Sequence, residues 1–294
     1  MKRFAALFLC LICTVSLFGC GKKEPAAEPE TLPVKTASAL VYDNGSTTLR
    51  FSNSEDKWIW TDGPTFPLDD STIQQILTEL PKVLAAKPEK GIIDLASCGL
   101  AEPSRYLTVT GAEGSQTLYF GAQASDGKWY MRLANEDTVY LVPNDFMLLL
   151  SESVYDMAIL PALPALTEEN VTFIGVSQSE DKQTYFLQTE GVWKSNGKEV
   201  TVAAQKILQE LAELEILRCV DYFPANGVAE LCGLTENATK ATIKYTNSVG
   251  TESELIVTFG GEMETEEGLY ATIGDSAAIY CLPKDGFTTL LSLL

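Results

Sequence analysis

The chain has 294 residues, with 21 basic against 40 acidic side chains, no histidine, and 46% hydrophobic content. Such an acidic surface repels phosphate backbones and anionic lipid, which excludes nucleic-acid binding. The missing histidine removes Ser-His-Asp and Cys-His catalysis and most catalytic zinc sites, while the apolar content is that of a globular chain with a real core.

Met1, Lys2 and Arg3 give a basic start, and 4–18 is almost wholly apolar. Spanning a bilayer takes about 20 apolar residues, so this run is short for a membrane helix. A basic segment followed by a short apolar core is the pattern of a secretory signal. Its end, Leu17-Phe18-Gly19-Cys20, resembles the lipobox of bacterial lipoproteins, with Phe18 bulkier than the usual small residue. The resemblance implies cleavage before Cys20 and a diacylglycerol on its sulfur. Each buried acyl CH₂ contributes about 0.8 kcal/mol, and two chains suffice for a stable anchor. The expected layout begins with a signal peptide, 1–19, and a lipidated Cys20 with a tether, 20–36. The tether holds Pro25, Pro29 and Pro33 and almost no large apolar side chain, so it cannot bury enough surface to fold. Extended at about 3.1 Å per residue it reaches roughly 45 Å. Losing Lys2 and Arg3 leaves 19 basic against 40 acidic residues, a net charge of −21. The expected location is the extracytoplasmic face of a bacterial membrane.

Strands are predicted over 38–42 and 47–51, joined by Asp43-Asn44-Gly45-Ser46, a strong hairpin signal, and over 58–61. Asp69 and Asp70 then offer N-caps for a helix in which Ile73, Ile76, Leu77, Leu80 and Leu84 share one face. Pro81 should kink or restart it. After Cys98-Gly99-Leu100 come strands near 106–110, 117–120, 128–133 and 138–142, and a short helix, 146–151, capped by Asn144 or Asp145. The plan then returns. Strands are predicted near 171–176, 184–188 and 192–194, then a helix over 203–217 with Ile207, Leu208, Leu211 and Leu214 inward. Strands near 241–245, 254–259, 268–273 and 278–282 and a last helix, 286–294, follow.

Local sequence recurs in the same order: "ILTEL" at 76–80 and "ILQEL" at 207–211, "CGL" at 98–100 and 232–234, "LYFG" at 118–121 and "VTFG" at 257–260, "VYLVPND" at 139–145 and "IYCLPKD" at 279–285. Trp58 and Trp60, then Trp193, precede the helices, and so does an "NSEDK" or "QSEDK" stretch at 53–57 and 178–182. Matches in register indicate duplication. The expected fold is α+β: two tandem copies, 37–165 and 166–294, each an antiparallel sheet with a helix packed on one face.

The Trp before the helix, "GL" at 99–100 and 233–234, "FG" at 120–121 and 259–260 and the "VY"/"IY" strand resemble a family of exported bacterial proteins known as domain of unknown function 4340. Cys98 and Cys232 stand where that family usually has an aromatic residue. The resemblance implies a lipoprotein in the context of ABC-type transport of the gliding-motility kind, and it names no reaction.

No chemistry-bearing constellation emerges. Cys98, Cys219, Cys232 and Cys281 are read either as buried thiols or as disulfides, Cys219–Cys232 being the closest pair in sequence. Trp58, Trp60 and Trp193 can stack on sugars or pack in the core, and their recurrence suits the core. Trp129, aligned with Leu269, is the tryptophan expected to be exposed. "GGEMETEEG" at 260–268 concentrates Glu262, Glu264, Glu266 and Glu267 in a loop without calcium-hand order, read as a solvated turn. Asp69-Asp70 reads as capping before it reads as paired catalytic carboxylates. The sequons at Asn44 and Asn237 are expected to be idle. No cofactor or metal is expected. The function expected is a non-enzymatic, lipid-anchored module whose partner, a protein such as a transporter component, meets Trp129 and the four glutamates. The alternatives are a small-molecule or wall-glycan binder with a cleft between the copies, and an envelope hydrolase built on carboxylates.

Overall fold

A computed structural model describes residues 37–90, 94–264 and 268–293; the signal-like segment, Cys20, the tether, Glu266 and Glu267 lie outside the described residues. The chain enters its first hairpin through side-chain hydrogen bonds. Asp43 accepts the Gly45 N–H at 2.8 Å, and Asn44 Oδ1 accepts those of Ser46 and Thr47 at 3.0 and 2.8 Å. This turn joins β1 (Ala39–Asp43) to β2 (Thr48–Ser54), and β3 (Lys57–Trp60) follows. The helix α1 (Ser71–Leu84) leads to β4 (Arg105–Gly111), β5 (Gly114–Gln123), β6 (Trp129–Leu133), β7 (Tyr140–Val142) and the short α2 (Asn144–Leu149). The strands form a seven-stranded antiparallel sheet in the order β3-β2-β1-β4-β5-β6-β7.

The second half repeats the plan with β8 (Val171–Ser177), β9 (Gln183–Thr189), β10 (Val192–Ser195), β11 (Lys198–Glu199) and α3 (Thr201–Ala212). β12 (Arg218–Asp221) and α4 (Val228–Leu231) precede β13 (Thr239–Thr246), β14 (Glu252–Glu262), β15 (Gly268–Ile273) and β16 (Ile279–Pro283). A 3₁₀ turn, Lys284–Phe287, and α5 (Thr288–Leu291) end the described chain. This sheet has nine strands, β11-β10-β9-β8-β13-β14-β15-β16-β12. Without β11 and β12 its order is that of the first sheet. The fold is α+β with two antiparallel sheet units. Among the described residues no helix is long and apolar enough to cross a membrane.

One device appears in both copies and explains two of the recurring motifs. The pairing of β5 with β6 shifts after Phe120, and that of β14 with β15 shifts after Phe259. At each bulge a backbone N–H turns to the CGL segment: Ala122 donates to the Cys98 carbonyl at 2.7 Å, and Gly261 to the Cys232 carbonyl at 2.8 Å. Gly99 and Gly233 adopt left-handed φ of +69° and +74° to present those carbonyls. The segment thereby covers part of each sheet's outer face; Cys98, Leu100 and Val139 pack with Tyr119 and Tyr130.

The inner faces share one core. Leu40, Tyr42, Phe51, Leu107 and Phe120 of the first sheet join Ile73, Ile76 and Leu80 of α1. The same continuous cluster holds Ile174, Trp193, Ile207, Leu211, Val257 and Phe287 of the second copy.

Several local expectations are corrected. Asp70 occupies the N-cap position of α1 without a capping bond, and it is Asp69 that accepts the Ser71 N–H at 2.9 Å. The helix runs through Pro81 to Leu84. Neither Asn144 nor Asp145 caps α2; Pro143 precedes the helix and Asn144 is its first residue. The helix expected over 203–217 stops at Ala212, because the chain must turn into β12, where Leu217 donates to the Cys281 carbonyl at 2.9 Å. The expected last helix, 286–294, is a 3₁₀ turn and one helical turn. "NSEDK" forms the β2–β3 turn, whereas "QSEDK" forms the β8–β9 turn, so that likeness does not belong to the duplication. The 3₁₀ turn Val154–Met157, closed by a Ser153–Asp156 capping box, and the elements β11, β12 and α4 were not expected.

Candidate functional site

Trp129 and Glu262 sit at related points of the two copies, beside the bulges. Gln123 pairs with Trp129 across the first sheet, as Glu262 pairs with Leu269 across the second. Trp129 is half-buried rather than open. Its indole N–H donates to Asn144 Oδ1 at 3.1 Å, and the Arg105 guanidinium lies 5.6 Å from its ring. Asn144 also accepts from Gln123 at 3.4 Å. In the second copy Glu262 instead forms an ion pair with Lys284, in an exposed position. Trp129 and Glu262 are thus occupied by their own neighbours, which corrects the expectation of an exposed tryptophan. Glu264 is exposed. Among the described residues no three His, Cys, Asp or Glu side chains group as a metal site. A depression of about 360 Å³ near Trp129 is lined by Gln123, Asp126, Gly127, Lys128, Pro143, Asn144 and Asp145, and it is open rather than enclosed. Ligand pockets are concave and bury most of their ligand.

The thiols offer no nucleophile. Cys98, Cys219, Cys232 and Cys281 form no disulfide and are buried. Burial first, and then the charge of Asp221, pushes Cys219 up to about 12, far from the thiolate that reactivity requires. Asp221 also accepts a hydrogen bond from Tyr155, whose phenol is raised chiefly by burial. Tyr155 belongs to an aromatic seam between the copies. Phe66 lies 6.0 Å from Trp60, 5.8 Å from Tyr155 and 5.3 Å from Tyr222, centroid to centroid. Rings fill the contact between the copies that these residues describe. Trp58 and Trp193 are buried in the core.

The outer faces of the two sheets differ where no CGL segment covers them. Their registers match residue for residue. Leu40 lies between Phe51 and Val109 as Ile174 lies between Phe186 and Ile243. Thr117 faces Thr108 as Ile256 faces Thr242. Outward on the first sheet are Ala39, Val41, Arg50, Ser52, Ile59, Tyr106, Thr108, Thr110, Ser115 and Thr117. Their hydroxyls satisfy one another, Thr108 with Thr117 and Thr110 with Ser115 at 2.8 Å. At the matching places the second sheet has Phe173 for Ala39, Tyr185 for Arg50, Leu187 for Ser52 and Ile256 for Thr117. Tyr185 is 41% and Leu187 49% exposed, too open to count as core. Gly175 leaves room for the Phe173 ring, which would lie 2.9 Å from a Cβ placed there. This face was missed in the sequence. The available signal was Tyr185-Phe186-Leu187, which is apolar in both phases of a strand that should alternate.

A family model described as "Domain of unknown function (DUF4340)" matches residues 58–237, more than half of the chain. The match starts in β3 and ends before β13, so it draws on both copies. No curated protein and no solved structure matches.

Proposed function

The chain belongs to the family of the domain of unknown function DUF4340, and from that premise we propose that it is a non-enzymatic interaction module. In this reading a lipid on Cys20 holds it at the extracytoplasmic face of a bacterial membrane, where it docks a protein, a component of a transport system. The observation that carries the reading is the outer face of the second sheet. Phe173, Tyr185, Leu187 and Ile256 replace the polar or small residues that the same fold carries in its first copy. A solvated sheet face normally keeps its polar phase outward, and a contiguous apolar patch on such a face marks an interaction site. Fully burying a side chain of this size contributes about 1.5–3 kcal/mol. Four such side chains roughly match the cost of association, estimated at about 4–15 kcal/mol. Confinement to the membrane would then raise the effective concentration of the partner without any new contact.

The test is chemical crosslinking of intact membranes, followed by recovery of the full chain and of a Tyr185→Ser/Leu187→Ser variant. The native chain is expected to bring down one specific protein and the variant to lose it; equal recovery by both overturns the assignment of this face. Mass spectrometry of the processed N-terminus is expected to show diacylglyceryl-Cys20, and an unmodified thiol overturns the anchor.

A further inference from the structure

We infer that the β3 edge of the first sheet receives an extended apolar segment of another protein as an added antiparallel strand. This surface is separate from the docking face proposed above. The duplication supplies a template for it. Without β11 and β12 the two sheets share one strand order, in which β3 corresponds to β10. Trp58 faces Asn53 as Trp193 faces Gln188, and Ile59 faces Ser52 as Lys194 faces Leu187. In the second copy this edge is covered. β11 returns along β10 with Glu199 opposite Lys194. Both outward backbone groups of Trp193 are then bonded: the Val200 N–H donates to the Trp193 carbonyl at 2.9 Å, and the Trp193 N–H donates to Thr201 Oγ1 at 3.2 Å.

The first copy keeps the edge and lacks the cover. Antiparallel strands exchange hydrogen bonds at alternate residues. Thr61 donates to the Arg50 carbonyl at 2.9 Å, so Lys57 and Ile59 bond to β2, while Trp58 and Trp60 turn N–H and C=O outward. Among the described residues no hydrogen bond reaches those outward groups. The connection after β3 does not return along it. Leu68 bridges Ala158 and Ile159 donates to the Pro67 carbonyl at 2.8 Å, so this stretch pairs with the end of the first copy, and β3 stays the last strand of its sheet. Ile59, the side chain between the two tryptophans, is 40% exposed, whereas its counterpart Lys194 has Glu199 beside it. Edges are commonly blunted by charge, proline or a cover. Here a row of open donors and acceptors runs past an apolar side chain, which is what strand addition recognises.

The template also sets the chemistry of the occupant. The residue in the place of Glu199 lies beside Ile59 and must be apolar to cover it. The next residue takes the place of Val200, which packs half-buried against the core, and is apolar for the same reason. Adjacent apolar residues suit a strand that is covered on both faces. A second copy of this chain is opposed by its own charge, 40 acidic against 21 basic side chains, which repels a like surface.

The experiment places a photo-crosslinking amino acid at exposed Lys57 of the full chain in native membranes and identifies the captured peptide by mass spectrometry. The expected peptide comes from another protein and holds two adjacent apolar residues. Its yield should fall about fivefold in Ile59→Lys, which charges the edge, and should persist in Ile59→Val. Ile59→Lys installs the residue that β10 carries at this position, so the fold is expected to accept it. A synthetic peptide of the captured sequence, added to the purified full chain, should then slow amide hydrogen exchange at Trp58 and Trp60 and leave Ile59, already bonded to β2, unchanged. No capture at Lys57, capture of lipid or of this chain itself, a yield indifferent to Ile59→Lys, or unprotected Trp58 and Trp60 amides each overturn the inference. The Tyr185→Ser/Leu187→Ser variant separates it from the docking face. Capture at Lys57 is expected to survive there, and its loss would show that the edge is no site of its own.

Discussion

At position 121 there is no room for a side chain. A Cβ on Gly121 would stand 2.0 Å from the Cys98 carbonyl oxygen, and one on Gly260 would stand 2.3 Å from that of Cys232. Each would push apart the hydrogen bond that holds the CGL segment on its bulge. Gly121→Ala and Gly260→Ala are each expected to destabilise by about 2–4 kcal/mol in urea titrations, combining overpacking with a lost hydrogen bond. Gly127→Ala, at φ +85° with open space around it, is expected to cost only about 1–2 kcal/mol. Equal costs at all three sites would contradict the clasp. The glycines were legible as a recurring motif; their reason was not, because the atom they make room for lies more than twenty residues away. Cys219 gives a pH dependence at the same scale. Its native pKa of about 12 lies above the ordinary 9.0, so the unfolded chain releases its proton first. Buried Tyr42, raised by burial and by Glu152, acts in the same direction. Their contribution is complete below pH 9.0 and fades as pH rises through the native pKa. The urea midpoint should therefore fall steadily above that pH, and Cys219→Ala should flatten the fall.

Elements follow local pattern well in their middles and poorly at their ends. The strands alternate and the helices bury Ile73, Ile76, Leu80 and Ile207, Leu208, Leu211 as their spacing requires. The ends answer to distant groups. α5 starts where it does because Glu210 of α3 accepts the N–H groups of Thr289 and Leu290, both at 2.9 Å. The carboxylate fills a cap that the local residues do not supply and favours the positive end of the helix. Glu210→Ala is expected to cost about 1 kcal/mol and to speed amide hydrogen exchange at Thr289 and Leu290. Unchanged exchange there would show that packing of Leu290 alone holds α5. The early end of α3 has the same kind of cause, since Leu217 must reach the Cys281 carbonyl to start β12.

For the whole molecule, the two sheets share one hydrophobic cluster, and Phe66 ties Trp60 and Tyr155 of the first copy to Tyr222 of the second. Unfolding in urea is therefore expected to be a single transition. Phe66→Ala should lower stability by about 3–5 kcal/mol and separate the probes of the two copies, Trp129 fluorescence for the first and the environment of Trp193 for the second. Two transitions in the native chain would mean that the copies fold independently. The sequence by itself determined the duplication, the α+β class and the core placement of Trp58 and Trp193. Those properties are written in periodicity and in motifs that recur in order, and both are local. Only the tertiary structure decided that Trp129 leans on Asn144, that β12 and β11 extend the second sheet, and that Tyr185 and Leu187 stay in solvent while Phe186 is covered. Which phase of a strand faces water depends on the register with strands far away in the chain and on whether another segment lies over that face, and no local window of residues records either.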